Sequence, residues 1–131
     1  MISDSQLLTL ESAARALLDA IASIRSETLF RPTERVQYAA LVVSREYEIR
    51  PEDILGRSRL AHLTEARHVA MFLCAKLELA NLAAIGQVFD NRDHTAVIYA
   101  RNRVQDLCDV DSVFAAKVSR LEKELQSSLN A

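Results

Sequence analysis

The chain has 131 residues, half of them apolar, and a formal net charge of −2, which suits one domain with a core, or one domain with an appendage. Only two glycines and two prolines interrupt it, and alanine and leucine dominate, so we expect an all-α fold. It has no apolar run long enough to span a membrane and no pattern typical of a signal peptide, which indicates a cytoplasmic protein. Cys74 and Cys108 are expected to be reduced core residues.

The first predicted element is an amphipathic helix over residues 3–27. Its apolar positions repeat with three-four spacing, which is typical of a heptad seam. The seam residues are Leu7, Leu10, Ala14, Leu17, Ile21 and Ile24. This seam can pack on its own domain, or it can pair with a second copy or another partner, and the sequence leaves both alternatives open.

Capping and helix-ending residues divide the next part of the chain into short segments. A proline fits the first turn of a helix, and a glycine is common just after the last turn. The predicted elements are a helix over 34–47 capped by Thr33, a turn of helix from Pro51 to Gly56, a basic linker over 57–61, and a helix over about 63–79 that Asn81 ends.

Two further helices, over 82–89 and 93–107, form a helix-turn-helix pattern. The turn between them contains Asp90 and Asn91, whose side chains tolerate positive φ and hydrogen-bond locally. Gly86 lacks a side chain and would let the second helix cross the first closely. The spacing therefore predicts a tight turn followed by an exposed helix tip.

The tip of the second helix carries polar groups suited to a DNA major groove. Asp93 is placed to accept hydrogen bonds from free backbone N–H groups as the N-cap. His94, Thr95 and Ala96 follow in the first turn and offer a ring, a hydroxyl and a methyl group, which are the groups that read base edges. The sequence thus indicates a recognition helix.

A last amphipathic helix is predicted over 112–129, after a break at Asp109–Asp111. Its apolar residues recur at helical spacing and should face a core. They are Phe114, Val118, Leu121 and Leu125.

Three fragments match a known family, namely EYEIRPEDILGRSR (Glu46–Arg59), EARHVAMFL (Glu65–Leu73) and LAAIGQVFDNRDHTAVIYA (Leu82–Ala100). From about Val36 to Leu107, the chain resembles the C-terminal DNA-binding domain, domain IV, of the bacterial replication initiator DnaA. The family signature F-G-x-R-D-H-T-T-V reads F-D-N-R-D-H-T-A-V here. The resemblance implies a helical domain with a helix-turn-helix, similar to that of the Trp repressor, which reads a short asymmetric DnaA box in double-stranded DNA.

The resemblance also implies roles for individual residues. It places base contacts in the major groove and an arginine arm in the minor groove. The implied base-contacting residues are Asp93, His94, Thr95 and Ala96, the arm is Arg59, the pair that opens the long helix is Arg67 and His68, and the phosphate-contacting residues include Arg57 and Arg92.

The chain departs from the family pattern in ways that should weaken DNA binding. Ala96 replaces a threonine and loses its hydroxyl, and Asp90 replaces a glycine and places a negative charge near the phosphates. Residues 33–107 contain ten Lys and Arg and ten Asp and Glu, so the module is neutral, whereas phosphate neutralisation supplies much of the affinity for DNA.

No motif for catalysis or for a cofactor is found. The chain lacks the G-x-x-x-x-G-K-[ST] pattern of P-loop ATPases, and His62 and His68 have no partners at metal-ligand spacing. We therefore expect no enzymatic activity, no bound nucleotide, no cofactor and no metal.

The sequence as a whole predicts three parts: an amphipathic helix over 1–31, a DnaA-type domain over 32–108 and a final helix over 109–131. We expect a nucleoid-associated protein that binds DnaA-box-like sites and regulates replication initiation or transcription. The alternative is a protein–protein interaction module that kept this fold with weak DNA binding. The neutral charge favours the alternative, and the Arg-Asp-His-Thr sequence at 92–95 favours DNA binding.

Overall fold

The computed structural model describes residues 12–14, 16–17 and 31–130. All regular structure in these residues is helical, which confirms the predicted all-α class. No helix within them is long and apolar enough to cross a membrane. From residue 32 onward the helices are α1 (Pro32–Tyr47), α2 (Pro51–Leu55), α3 (Ala61–Lys76), α4 (Leu82–Val88), α5 (His94–Val110) and α6 (Ser112–Leu129).

The chain divides into two units, residues 1–31 and residues 32–131. In the first unit, Ala14 and Leu17 are helical and exposed. The other residues of the predicted seam, Leu7, Leu10, Ile21 and Ile24, lie outside the described residues. The pairing of this seam stays a prediction.

Local sequence signals set most helix starts in the second unit. The Asn81 side chain accepts a hydrogen bond from the Ala84 N–H at 2.8 Å and caps α4. The Asp111 side chain accepts from the Val113 and Phe114 N–H groups at 3.1 and 3.0 Å and caps α6. Each cap satisfies backbone donors that have no partner within the helix.

Several predicted boundaries differ from those of the structure, and three of them concern the start and stop signals of a helix. Helix α1 begins at Pro32, ahead of the predicted cap Thr33, because proline fits a first helical position. Helix α3 ends at Lys76, and Asn81 starts the next helix instead of ending this one. Helix α5 continues to Val110, so the predicted break at 109–111 shrinks to the single residue Asp111.

The core is built around α3, which packs against both α1 and α5. Small residues such as Ala66 and Ala70 are fully buried and let the neighbouring helices approach. Leu73 and Val69 fill the space between them, and full burial of such a side chain contributes about 1.5–3 kcal/mol. The core thereby fixes the position of α5 relative to α3.

Helix α6 closes the core with the four apolar residues that its sequence pattern predicts, since Phe114, Val118, Leu121 and Leu125 are all buried. A polar cluster joins α6 to α1 and α3. The Tyr47 hydroxyl donates to Glu65 Oε2 at 2.6 Å, and Lys117 Nζ lies 4.5 Å from the centre of the Tyr47 ring. The pKa of Tyr47 is raised, mainly by burial and secondly by the interaction with Glu65. Its hydroxyl therefore keeps the proton that it donates to Glu65.

Candidate nucleic-acid interface

Helices α4 and α5 form the predicted helix-turn-helix, and a tight turn joins them. Ile85 and Phe89 are fully buried and anchor the turn. Asp90 and Asn91 have φ angles of 60° and 55°, in the left-handed region that Asp and Asn tolerate better than most residues. The positive φ angles predicted for this turn are confirmed, whereas the Asp90 carboxylate accepts from the distant Arg57 instead of from a local donor.

Gly86 allows α4 to approach the start of α5 closely. Its carbonyl accepts hydrogen bonds from the Phe89 N–H at 3.1 Å and the Arg92 N–H at 2.8 Å. A Cβ atom at Gly86 would lie 2.2 Å from the carbonyl oxygen of Arg92. The turn therefore has no room for any side chain here, as the sequence predicts.

The first turn of α5 is an exposed polar tip. Asp93 is its N-cap, and its carboxylate accepts a hydrogen bond from the Thr95 N–H at 3.1 Å. That bond is the main reason that the pKa of Asp93 is lowered. The same carboxylate lies 2.7 Å from His94 Nδ1. With Nδ1–H donating to Asp93, the other ring nitrogen of His94 remains for an external partner.

A basic loop over residues 57–60 precedes α3, and Arg67 holds it in place. The Arg67 guanidinium donates to the carbonyls of Ile54 at 2.7 Å, Ser58 at 2.9 Å and Asp53 at 3.1 Å. Arg67 is only 4% exposed, whereas the DNA contact that the resemblance implies requires an accessible guanidinium. The sequence places this residue correctly on α3, but its donors are engaged by the backbone of α2 and the loop.

Four arginines line one groove of about 370 Å³, together with Ser58 and Thr64. These arginines are Arg57, Arg59, Arg67 and Arg92. Burial lowers the pKa of both Arg67 and Arg92, and a neighbouring arginine lowers each one further. The groove thus concentrates positive charge, which favours an anionic ligand.

A second groove, of about 360 Å³, adjoins the first and shares Arg59 and Thr64 with it. His68 and Tyr99 contact each other there edge to face, with ring centroids 5.6 Å apart. Burial is the main cause of the lowered pKa of His68, and nearby arginines add to it. The ring of His68 is therefore uncharged at neutral pH.

Tyr99 and Arg103 of α5 are polar residues of the second groove that the sequence analysis did not identify as site residues. Both line the second groove, and Tyr99 is 62% exposed. The signal that could have identified them is their spacing, because Thr95, Tyr99 and Arg103 are four residues apart and share one helix face.

The nine predicted site residues fall into three groups in the structure. The four arginines line the first groove, and His68 lines the second. Asp93, His94 and Thr95 are exposed at the α5 tip, and Ala96 is half-buried. Their contacts with DNA stay predictions.

The described residues contain no metal-binding cluster, and Cys74 is an unreactive thiol. No group of three or more His, Cys, Asp and Glu there could hold a metal ion. Cys74 is buried, and burial raises the pKa of its thiol. An uncharged buried thiol is a poor nucleophile.

Residues 37–104 match the family model described as the bacterial DnaA protein helix-turn-helix. The chain belongs to this family. The match covers α2, α3 and α4 in full and the last 11 of the 16 residues of α1, and it includes the DnaA-type turn and the exposed tip of α5. The suspected resemblance is thereby confirmed, and the protein carries a DnaA-type DNA-binding helix-turn-helix domain.

Curated relatives and a solved structure agree with this family. The chain is 33% identical over 127 residues to the chromosomal replication initiator protein DnaA of Rhodopseudomonas palustris (strain BisA53) and to that of Nitrobacter hamburgensis. These matches cover 94% of the chain but span only 25% of the length of each DnaA. A crystal structure of a DNA replication initiation factor matches with a TM-score of 0.69 and 27% identity, over 94% of this chain and 38% of that one.

Proposed function

We propose that this protein binds double-stranded DNA sequence-specifically, at DnaA-box-like sites, and regulates replication initiation or transcription without enzymatic activity. The observation that carries the proposal is the exposed tip of α5, where Asp93 caps the helix and contacts His94. This tip lies within a DnaA-type domain. In a bacterial cell, such a protein would be cytoplasmic and associated with the nucleoid.

In the proposed complex, α5 enters the major groove with its first turn against the base edges. His94 and Thr95 are exposed there, and each good base contact discriminates by about 1–3 kcal/mol. Ala96 offers only a methyl group, which suits a thymine methyl.

The basic loop would supply contacts beside the major groove. Arg59 is exposed at the edge of both grooves, and we assign to it the minor-groove contact. Arg57 and Arg92 would face phosphates. For Arg67, whose guanidinium is engaged by three carbonyls, we propose a positioning role for the loop in place of a direct DNA contact. His68 would support Tyr99 beside the DNA backbone.

Selection of duplexes from a random pool, at low and at physiological salt, tests this function. We expect a DnaA-box-like sequence to be enriched by the parent protein. His94→Ala and Thr95→Ala should each reduce the preference for that sequence by about 1–3 kcal/mol while the fold stays intact. Ser119→Ala, which removes an exposed hydroxyl from α6, is the matched control. If both tip variants select the same sequence as the parent does, the recognition-helix assignment is wrong.

The second candidate function is protein–protein interaction through the seam predicted over residues 3–27. The observation that favours it is the balance of charge in residues 33–107, where acidic and basic side chains are equal in number. A seam dimer would place two DNA-binding domains together and raise the avidity for paired boxes. A salt-dependent gel shift with a box duplex separates the two candidates, because an interaction module would show no preference for the box.

A further inference from the structure

Asp90 brings an acidic side chain into the turn of the helix-turn-helix, where the family signature has glycine. Its φ of 60° lies in the left-handed region, and this explains why the position holds a residue that tolerates that conformation. The backbone does not require a charge there, because asparagine tolerates the same conformation, as the neighbouring Asn91 at 55° demonstrates. The carboxylate of Asp90 therefore needs a separate explanation.

The partner of that carboxylate is an arginine of the basic loop. Arg57 Nε donates to Asp90 Oδ2, and Arg57 Nη2 donates to the Asp90 backbone carbonyl at 3.2 Å. The two residues are 33 positions apart in the chain. The pair thus bridges the loop before α3 and the turn before α5, which are the two segments that flank the arginine-lined groove.

The groove itself carries positive charge with no acidic residue in its lining, so far as the chain is described. Arg57, Arg59, Arg67 and Arg92 all contribute to it. Asp90 is paired with Arg57, and it raises the pKa of both Arg67 and Arg92, whereas neighbouring arginines lower the pKa of these two residues. Asp90 thus supplies the negative charge that a bound phosphate would supply.

We propose that Asp90 acts as an internal substitute for a DNA phosphate, competing with DNA for Arg57 and lowering the affinity of the domain for DNA of any sequence. This inference rests on the proposed DNA-binding function. The ion pair is exposed, with 73% and 41% of the two side chains accessible, and exposed pairs open easily. Arg57 therefore exchanges between Asp90 and a phosphate, and the base contacts decide which sites remain bound.

The test compares Asp90→Asn with the parent in salt titrations on a box duplex and on a random-sequence duplex. Asparagine keeps the turn conformation and removes the charge. One additional phosphate contact should steepen the slope of log K against log salt by about 0.9. The affinity of the variant relative to the parent should then be about 3.5-fold larger at about 50 mM than at about 200 mM salt. The ratio of box to random affinity should not change, because phosphate contacts carry no sequence information.

Two controls separate this competition from a general effect of charge. Glu124→Gln removes one negative charge from an exposed position of α6 and should leave the salt slope unchanged. In an Arg57→Ala background, Asp90→Asn should no longer steepen the slope, because the freed arginine is absent. An equal effect of Asp90→Asn with and without Arg57 would overturn the proposal.

The outcomes also distinguish this inference from the proposed function. If the parent prefers the box and Asp90→Asn has the parental slope, the competition is wrong and the function stands. If Asp90→Asn steepens the slope but neither protein prefers the box, the competition stands and sequence-specific binding fails. Absence of binding by both proteins at about 50 mM salt overturns both.

Discussion

Gly86→Ala should destabilise the domain, although alanine normally favours a helix. The added Cβ would lie 2.2 Å from the Arg92 carbonyl oxygen and 3.2 Å from that of Asp93, and real Cβ contacts essentially never fall below 3.0 Å. Because both atoms belong to the backbone, no side-chain rotation relieves the contact. The turn must move away by roughly 1 Å, and the 2.8 Å hydrogen bond from Arg92 N–H to the Gly86 carbonyl is strained.

The magnitude follows from three opposing effects. Overpacking costs about 1–3 kcal/mol, the strained hydrogen bond about 1 kcal/mol, and the helix propensity of alanine returns about 1 kcal/mol. We expect a net loss of about 2 kcal/mol in the free energy of unfolding, which lowers the Tm by about 8–16 °C for a domain of this size. The displaced α5 should also lose affinity for a box duplex more than for random DNA.

Thermal melting and box-duplex titration of Gly86→Ala measure both effects. The matched control is Gly56→Ala, which is the same substitution at the other glycine of the chain. Its Cβ would meet the carbonyl oxygens of Glu52 and Asp53 at 3.2 and 3.9 Å, a contact that a much smaller shift relieves, so its Tm should fall far less than that of Gly86→Ala. A Gly86→Ala protein that melts and binds like the parent would refute the argument from close approach.

Three further predictions concern other parts of the chain. Arg59→Ala should weaken box binding and relax the preference at an A·T-rich edge of the site; an unchanged preference in duplex selection would exclude the minor-groove role. Arg67→Lys keeps the charge but cannot reach three carbonyls at once, so thermal melting should show a loss of about 2 kcal/mol, and parental stability would contradict the positioning role. Leu17→Glu places a charge in the predicted seam and should convert a dimer to a monomer in sedimentation while box binding by one domain persists; a parent that is monomeric throughout would rule out the seam dimer.

Features set by neighbouring residues were predictable from the sequence. The capping role of Asp93 depends on a side chain and an N–H two residues away, and the turn at Asp90 depends on its own φ. The close approach at Gly86 was predictable because the helix-turn-helix pattern fixes the distance along the chain to Arg92. These are interactions over few residues, so sequence spacing describes their geometry well.

Features set by packing between distant segments were not predictable. The sequence indicates that Arg67 opens the long helix, but its burial depends on how α2 and the loop fold across α3. The pairing of Arg57 with Asp90 joins residues 33 positions apart and requires the loop and the turn to meet in space. The end of α3 was also misplaced, because Asn81 is an equally good signal for starting a helix, and the backbone of Glu78 at a φ of 53° marks the actual stop.

The final helix α6 extends the cooperative folding unit beyond the residues that match the family model. The family match stops at residue 104, yet Phe114 and Leu121 from α6 lie in the same core as α3, and Lys117 of α6 stacks on Tyr47 of α1. The segment that matches the family model is therefore shorter than the segment that shares one core. Amide hydrogens of α3 and α6 should exchange through one common opening, and a fragment cut before α6 would expose to water the apolar faces of α1 and α5 on which α6 packs.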